Sequence, residues 1–543
     1  MIAGLVLSPP LARAEALVAP VFGAASNFGQ GADGGLIMAA WRLGLRDLRD
    51  AVYWADVEGA DGRYRYDGPT RGFPAALARA GIKMSLTVNN PHPIFDGGAT
   101  PVSPTAVAAF ARFASRTVQR FSAIDAVEVG NEMNSARFAF GPGWAAGDLS
   151  QRARSYTALL TGTAREVRAA RPGVRILGGA AMALPLAWFQ ALSEAGAPAL
   201  MDALVLHPYT TPPEQIRRQI KALRQIPGFG AMPVEVTEYG YQTAVEAPGY
   251  LLRAYCQMAL AGVSRAVWYP LNPRGDGWVP LLDAQGRPTG AGRAARLVLT
   301  RLAGKTVRDF APDPFTYGCR FGDDTLLLWG APRSIRLSPD LRATSAAGAA
   351  LPATGLALSM APLLIYADRP LVPGTDVQFG PQAVLADSFD QFGADSPFSW
   401  FIRDARGLHP MQSRPGQEKD GVPWTPYLGS GLDGRLMVTE TRAVPVVGAS
   451  VVLRYTAGAD TRAAWLVLRA KASPRSVDGI TLAATLRGRA LLGWQDGPDD
   501  TRLLGPLDLR EGDAIEVDLG AGADDRGDLT DFRMTLRREV ARI

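Results

Sequence analysis

Two short segments hold the residue types that could do acid–base chemistry. Val129-Gly130-Asn131-Glu132 and Val236-Thr237-Glu238-Tyr239-Gly240 each follow an apolar run and place a glutamate at its end. Two carboxylates brought to one mouth suit glycoside hydrolysis by double displacement. One attacks the anomeric carbon; the other protonates the leaving oxygen and then takes a proton from water. The two must titrate apart, one ionised and one protonated as the reaction starts. Singly, each glutamate reads more readily as a strand-end ion-pair partner, and it is their pairing that points to catalysis. Glu128 lies four residues before Glu132, so strand alternation aims both the same way. Buried there it needs a partner, and Arg49 is the candidate. Glu235, three residues before Glu238, should face the helix layer as a structural ion pair.

The elements that must carry these residues form a repeating pattern. Strand candidates fall at 18–24, 45–49, 82–89, 126–131, 175–181, 203–207, 233–238 and 265–269, with amphipathic stretches at 105–121, 150–170, 186–195, 213–225 and 250–261. Eight β-then-α units within residues 17–305 are the count and length of a closed (β/α)8 TIM barrel. A doubly wound sheet is the alternative, but 29–35 lacks the dinucleotide-binding glycine spacing. Barrel active sites gather at the C-terminal strand ends, and strands four and seven of eight face one another across the mouth. After residue 305 helical periodicity stops. Residues 306–370 read as a small β domain on the barrel, 371–382 as a linker, and 383–543 as a β-sandwich of the jelly-roll kind. Within it, Trp400, Phe401, Trp424, Tyr427 and Trp494 are candidates for a sugar-binding face or for core.

With these motifs in place the chain resembles clan A of the glycoside hydrolases, and within it family 39, in the manner of bacterial exopolysaccharide hydrolases. The resemblance rests on Asn131-Glu132 and Glu238 together with Arg49 and His207-Pro208-Tyr209. It covers about residues 17–370. It implies that Glu132 is the acid/base, Glu238 the nucleophile, and Asn131 a hydrogen-bonding partner of the substrate 2-hydroxyl. It also implies that Arg49 is the active-site arginine, that Tyr209 contacts the nucleophile beside His207, and that Trp268 is a sugar-stacking platform. Gly130 and Met133 stand where the clan commonly has a Trp and a Pro. Trp54, Asn89, Asn90 and His92 end the second and third βα units, where they line subsites or hold loops. Trp144 and Trp278 lie in Gly- and Pro-rich loops, where exposed aromatics suit a cleft for several sugars and buried ones read equally well as core.

Composition narrows the partners. The 543 residues are 47% hydrophobic and 20% charged, with a formal charge of +5, so the chain is globular. Five lysines leave the basic side almost wholly to scattered arginines, and no basic stripe predicts nucleic-acid binding. No apolar run reaches the ~18 residues of a spanning helix, so this is not an integral membrane protein. Three histidines and two cysteines argue against metal catalysis and a zinc ribbon, and no cofactor is implied. Cys256 and Cys319 form one bridge or stay free, and the helical pattern around Cys256 favours a free buried thiol. Residues 1–16, with Ala12-Arg13-Ala14 as a small-x-small site, read as a signal segment, which places the protein in the periplasm or outside the cell. The expected activity is retaining hydrolysis of an extracellular polysaccharide, with endo action favoured. An exo-acting, β-xylosidase-like enzyme, a non-catalytic polysaccharide-binding barrel and a lyase are the rivals.

Overall fold

The structure, a computed structural model, describes residues 16–145, 148–393, 396–431, 434–497 and 501–538. The signal segment therefore lies outside the described residues, apart from Ala16. Eight parallel strands close into a barrel: β1 (Val21–Ala25), β2 (Asp47–Asp50), β3 (Lys83–Val88), β4 (Ile124–Val129), β5 (Arg175–Met182), β6 (Ala203–His207), β7 (Val234–Tyr239) and β8 (Val263–Trp268). Their principal helices are α1 (Leu36–Leu43), α2 (Pro69–Arg79), α3 (Pro104–Arg120), α4 (Leu149–Ala170), α5 (Leu186–Glu194), α6 (Pro213–Leu223), α7 (Ala247–Leu260) and α8 (Gly290–Leu297). A barrel strand is covered on both faces, which is why β5 reads as a nearly unbroken run of small and apolar residues, six of its eight fully buried. Helix starts are written locally. Ser103 accepts from the Ala106 amide at 3.2 Å and Asp148 from Gln151 at 2.8 Å, satisfying donors that a helix leaves free at its first turn. No helix among the described residues is long and apolar enough to cross a membrane.

The small β domain continues the barrel's core. Strands β9 (Val307–Asp309), β10 (Thr316–Phe321) and β11 (Thr325–Gly330) belong to a six-stranded antiparallel sheet. Alternation in β11 divides its side chains. Leu327 and Trp329 join the barrel core, while Leu326 and Leu328 join a second cluster on the far face. That second cluster corrects the linker expectation for 371–382. Val377–Phe379 pairs antiparallel with Ile335–Leu337, and Leu371 and Val377 are buried in the same cluster. Two apolar residues in this stretch outweigh its Pro-Gly texture.

The cysteine expectation is also corrected. Cys256 on α7 and Cys319 on β10 are bridged, their Cα atoms 5.9 Å apart, so a disulfide ties the barrel to the small domain. Cys256 sits on a helix face and is fully buried, as expected of a core thiol. The face it occupies is the one that packs on β10.

Residues 384–537 form two antiparallel sheets packed face to face. Ile402, Val451 and Leu453 from one interdigitate with Leu466, Leu468 and Leu536 from the other. This sandwich sits against the barrel. Arg218 of α6 meets Glu440 at 3.3 Å, Gln215 donates to the Phe389 carbonyl at 2.8 Å, and the Leu186 amide at the start of α5 donates to the Pro415 carbonyl at 2.9 Å.

Candidate active site

The mouth of the barrel is organised by one guanidinium. Arg49 on β2 donates through Nε and Nη2 to both oxygens of Glu128, each at 2.7 Å, through Nη2 to Asn131 Oδ1 at 2.7 Å, and through Nη1 to Glu238 Oε1 at 2.5 Å. All four side chains are buried or nearly so. Glu238 also accepts from the Tyr209 hydroxyl at 2.8 Å. His207, at the end of β6, places Nδ1 3.1 Å from Glu132 Oε1 and Nε2 3.0 Å from Thr237 Oγ1.

These contacts set the charges. Burial pushes Glu238 up, but His207, Arg49 and the Tyr209 hydroxyl outweigh it and hold the carboxyl below its ordinary range. Glu128 likewise resists burial and, through Arg49 and then His207, titrates at about 2. Burial favours neutral His207, yet Glu238, Glu128 and Glu132 surround it and raise it to about 9. The Tyr209 hydroxyl, buried and beside Glu238, is raised well above its usual value, so it remains a donor.

Glu132 reaches the mouth through an unusual backbone. Gly130 and Glu132 have φ of 91° and 48°. A Cβ at Gly130 would run into Met133, so this turn requires glycine where a bulky residue would otherwise stand. A left-handed glutamate costs on the order of 1–3 kcal/mol. Bonds on both sides hold it: the Met133 amide donates to the Ala180 carbonyl, the Ser135 amide to Glu132's own carbonyl, and Tyr156 to the Val129 carbonyl at 2.7 Å. Glu132, His207 and Glu238 each offer a ligand atom within 4.8 Å of the others, the one cluster among the described residues able to hold a metal ion. The donors already on Glu238 and His207 account for the arrangement by hydrogen bonding.

No protein-family model matches the sequence, and no curated protein matches it significantly. Solved structures do. A family 39 glycoside hydrolase from the gut symbiont Bacteroides cellulosilyticus WH2 is similar at TM-score 0.55 and 19% identity, over 64% of this chain and 81% of that one. Over that part of the chain the two share a fold. A family 39 β-xylosidase from Caulobacter crescentus is also similar, at TM-score 0.48 and 17% identity over 66% of this chain and 98% of that one.

On this barrel the predicted site residues separate into two groups. Arg49, Asn131, Glu132, His207, Tyr209 and Glu238 converge as described, and Arg49, Asn131 and Glu238 line a cleft of about 390 Å³ together with Asn89. Trp54, His92 and Trp268 do not reach it. Trp54 is fully buried, stacked on Phe95 at 5.1 Å and bonded to Glu58 at 2.5 Å. His92 is buried against the Glu58 carbonyl at 2.9 Å. Trp268 is fully buried under Tyr239, its Nε1 donating to the Val279 carbonyl at 2.9 Å, and has no face to offer a sugar. The half-exposed ring at this side is Trp278, 4.5 Å from Tyr209. Trp144 is core, with Nε1 on the Thr100 carbonyl.

Glu235 is a buried ion pair but faces the barrel interior. Arg265 reaches it at 3.4 Å while also bonding Asp47 on β2 and Ser85 on β3, an arrangement possible only from inside. The β7–β8 register shifts between Val236 and Tyr239, so simple alternation back from Glu238 gives the wrong face. Sequence reasoning also missed Arg137, Tyr269 and Arg274, which line the cleft from loops without motif. In the sandwich, Trp400, Phe401 and Tyr427 line one cavity and Trp424 another; Trp494 lies outside the described side chains.

Proposed function

We propose that this chain is a retaining β-glycosidase that cleaves an extracellular polysaccharide within the chain. The observation that carries the reading is the approach of Glu132 and Glu238 from opposing strands, with one oxygen of each within 4.8 Å. Double displacement works at a carboxyl separation of about 5–5.5 Å, whereas inversion leaves room for water at about 6.5–9.5 Å.

In this reading Glu238, ionised through Arg49 and Tyr209, attacks the anomeric carbon as Glu132 gives its proton to the departing oxygen. The glycosyl ester of Glu238 then forms, and Glu132, now a carboxylate, takes a proton from water as that water attacks. Glu238 leaves and the starting protonation is restored. Asn131, fixed by Arg49, presents its Nδ2 toward the sugar. Endo action is supported by two spaces beside the paired residues: the cleft of about 390 Å³ lined by Glu238 and a second cavity of about 950 Å³ walled by Tyr209, Tyr241 and Trp424. Arg137 lines the first cleft without an ion-pair partner among the described residues, which favours an acidic glycan, whereas Arg274 beside it is engaged by the Asp50 charge and by the Ala25 and Ser26 carbonyls. Export is supported by the Ala12-Arg13-Ala14 pattern and by the disulfide.

The test is hydrolysis of aryl β-xylosides, β-glucosides and β-glucuronides and of acidic bacterial polysaccharides by wild type, Glu238→Ala and Glu132→Ala. Release by wild type alone, with a first-formed β-anomer by NMR, is expected. Monosaccharide as the sole early product would replace endo with exo action. Binding of a polymer without release would support a non-catalytic barrel.

A further inference from the structure

The acid/base loop is held from outside the barrel. Asn134, two residues after Glu132 and fully buried, makes a reciprocal amide pair with Gln417 of the C-terminal sandwich. Asn134 Nδ2 donates to Gln417 Oε1 at 2.8 Å, and Gln417 Nε2 donates to the Asn134 carbonyl at 2.8 Å. The same Asn134 side chain accepts from the Met182 amide at 2.8 Å and donates to the Met182 carbonyl at 3.1 Å. It thereby fastens the β4 loop to the end of β5. From there the Ala183 amide donates to the carbonyl of His207, the residue facing Glu132.

Backbone strain concentrates at this junction. Of the seven non-glycine residues with left-handed φ among those described, four belong to it: Glu132 (48°), Ala180 (38°), Ala183 (61°) and Gln417 (61°). Such conformations persist where the surroundings over-determine them, and they cluster at functional sites. The segment around Gln417 is itself fixed. Its amide donates to the Pro423 carbonyl at 2.8 Å, Pro415 accepts from the first residue of α5, and a Cβ at Gly416 would meet the Thr425 carbonyl oxygen at 2.5 Å.

We infer that Gln417 is a positioning residue for the acid/base glutamate, and that the C-terminal sandwich is thereby a working part of the active site. The inference rests on the glycosidase reading for the role of Glu132, while the clamp itself stands on the geometry. Glu132 acts as acid in the first step and as base in the second, and kcat/KM reports the first alone, so in kcat/KM the loss of the clamp should appear where the leaving group needs a proton.

The experiment compares wild type, Gln417→Gly and Gln417→Glu on 2,4-dinitrophenyl and 4-methoxyphenyl β-glycosides, β-D-xylosides first and then the other sugars of the panel. Glycine accepts the left-handed backbone and removes only the amide; Gln417→Glu keeps the acceptor for Asn134 and loses the donor. General acid catalysis contributes about 10²–10⁴-fold. A displaced acid is therefore expected to lower kcat/KM for the 4-methoxyphenyl substrate about tenfold or more in Gln417→Gly, and less in Gln417→Glu. The dinitrophenyl substrate, whose leaving group needs no proton, should stay within about twofold. Amide hydrogen exchange over residues 131–135 should quicken in Gln417→Gly and stay at the wild-type rate in Arg403→Ala, which breaks a sandwich ion pair with Glu516 and Asp518. Equal loss on both substrates, no loss on either, or unchanged exchange would overturn the inference. Failure of wild type on every glycoside would count against the glycosidase reading instead, and the exchange rates would still decide the clamp.

Discussion

Arg49 holds Glu128 with two parallel bonds of 2.7 Å while its third nitrogen reaches Glu238. Glu128 is fully buried and makes no approach to the cleft, so its work is to orient the guanidinium and carry half of its charge. Removing one member of a buried pair leaves the other uncompensated, at a cost of about 3–5 kcal/mol. Glu128→Leu is expected to lose stability of that order in urea unfolding and to lower kcat as Arg49 turns away from Asn131 and Glu238. Glu128→Gln, which keeps an acceptor, should lose less of both.

Tyr209 donates to the oxygen of Glu238 that Arg49 does not hold. That bond favours the ionised carboxylate, so its removal raises the pKa of Glu238. In Tyr209→Phe the acidic limb of the pH profile of kcat/KM should move to higher pH, and kcat should fall roughly 10–100-fold. The alkaline limb should stay in place, because Glu238 is ionised there with or without the Tyr209 hydroxyl.

His207 predicts the pH dependence of stability. Its folded pKa of about 9 lies above the ordinary 6.5, so the folded state keeps a proton that the unfolded chain gives up. The stabilisation is full below about pH 6.5 and disappears as pH rises through about 9, amounting to ~3 kcal/mol shared by the cluster. Glu128 and Glu238 have the opposite sign. Their stabilisation is present above the ordinary carboxyl range and is lost as pH falls, through about 2 for Glu128. Thermal melts from pH 2 to 10 should fall at both ends, and His207→Gln should flatten the alkaline fall.

The barrel and the paired glutamates were legible because both follow from local rules. Strands buried on two faces read as apolar runs, amphipathic helices separate them, and the candidate carboxylates stand where the runs end. What was not legible depended on distance or on irregular backbone. Trp268 and Trp278 both read as sugar platforms, and only packing shows that Tyr239 covers the first. Alternation places Glu235 in the helix layer because it ignores the register shift in β7. Gln417 lies 283 residues from Asn134 in a loop without motif, so nothing in either segment announces the other.

The bridge between Cys256 and Cys319 spans 63 residues. In the chain-entropy model a loop of that length is worth about 4 kcal/mol through restriction of the unfolded state. The double variant Cys256→Ala, Cys319→Ala should melt at lower temperature in non-reducing buffer, and reductant should bring wild type down to the same value. Neither cysteine lines the catalytic cleft, so kcat at 25 °C should be retained. An equal fall in kcat would mean that the small domain helps to position the barrel mouth.

Trp278 and Trp268 should separate binding from folding. Trp278 is half-exposed beside Tyr209 and Tyr269, where it can stack on a sugar bound over Glu238. Trp278→Ala is expected to raise KM roughly tenfold, about 1.4 kcal/mol, with the melting temperature nearly unchanged. Trp268→Ala empties a fully buried site and should cost about 3–5 kcal/mol of stability. Its KM should stay near wild type at temperatures where it is folded. If instead Trp268→Ala raised KM at full stability and Trp278→Ala did nothing, the sugar would have to lie on the other side of Tyr239, and the cleft assigned to substrate would be the wrong one.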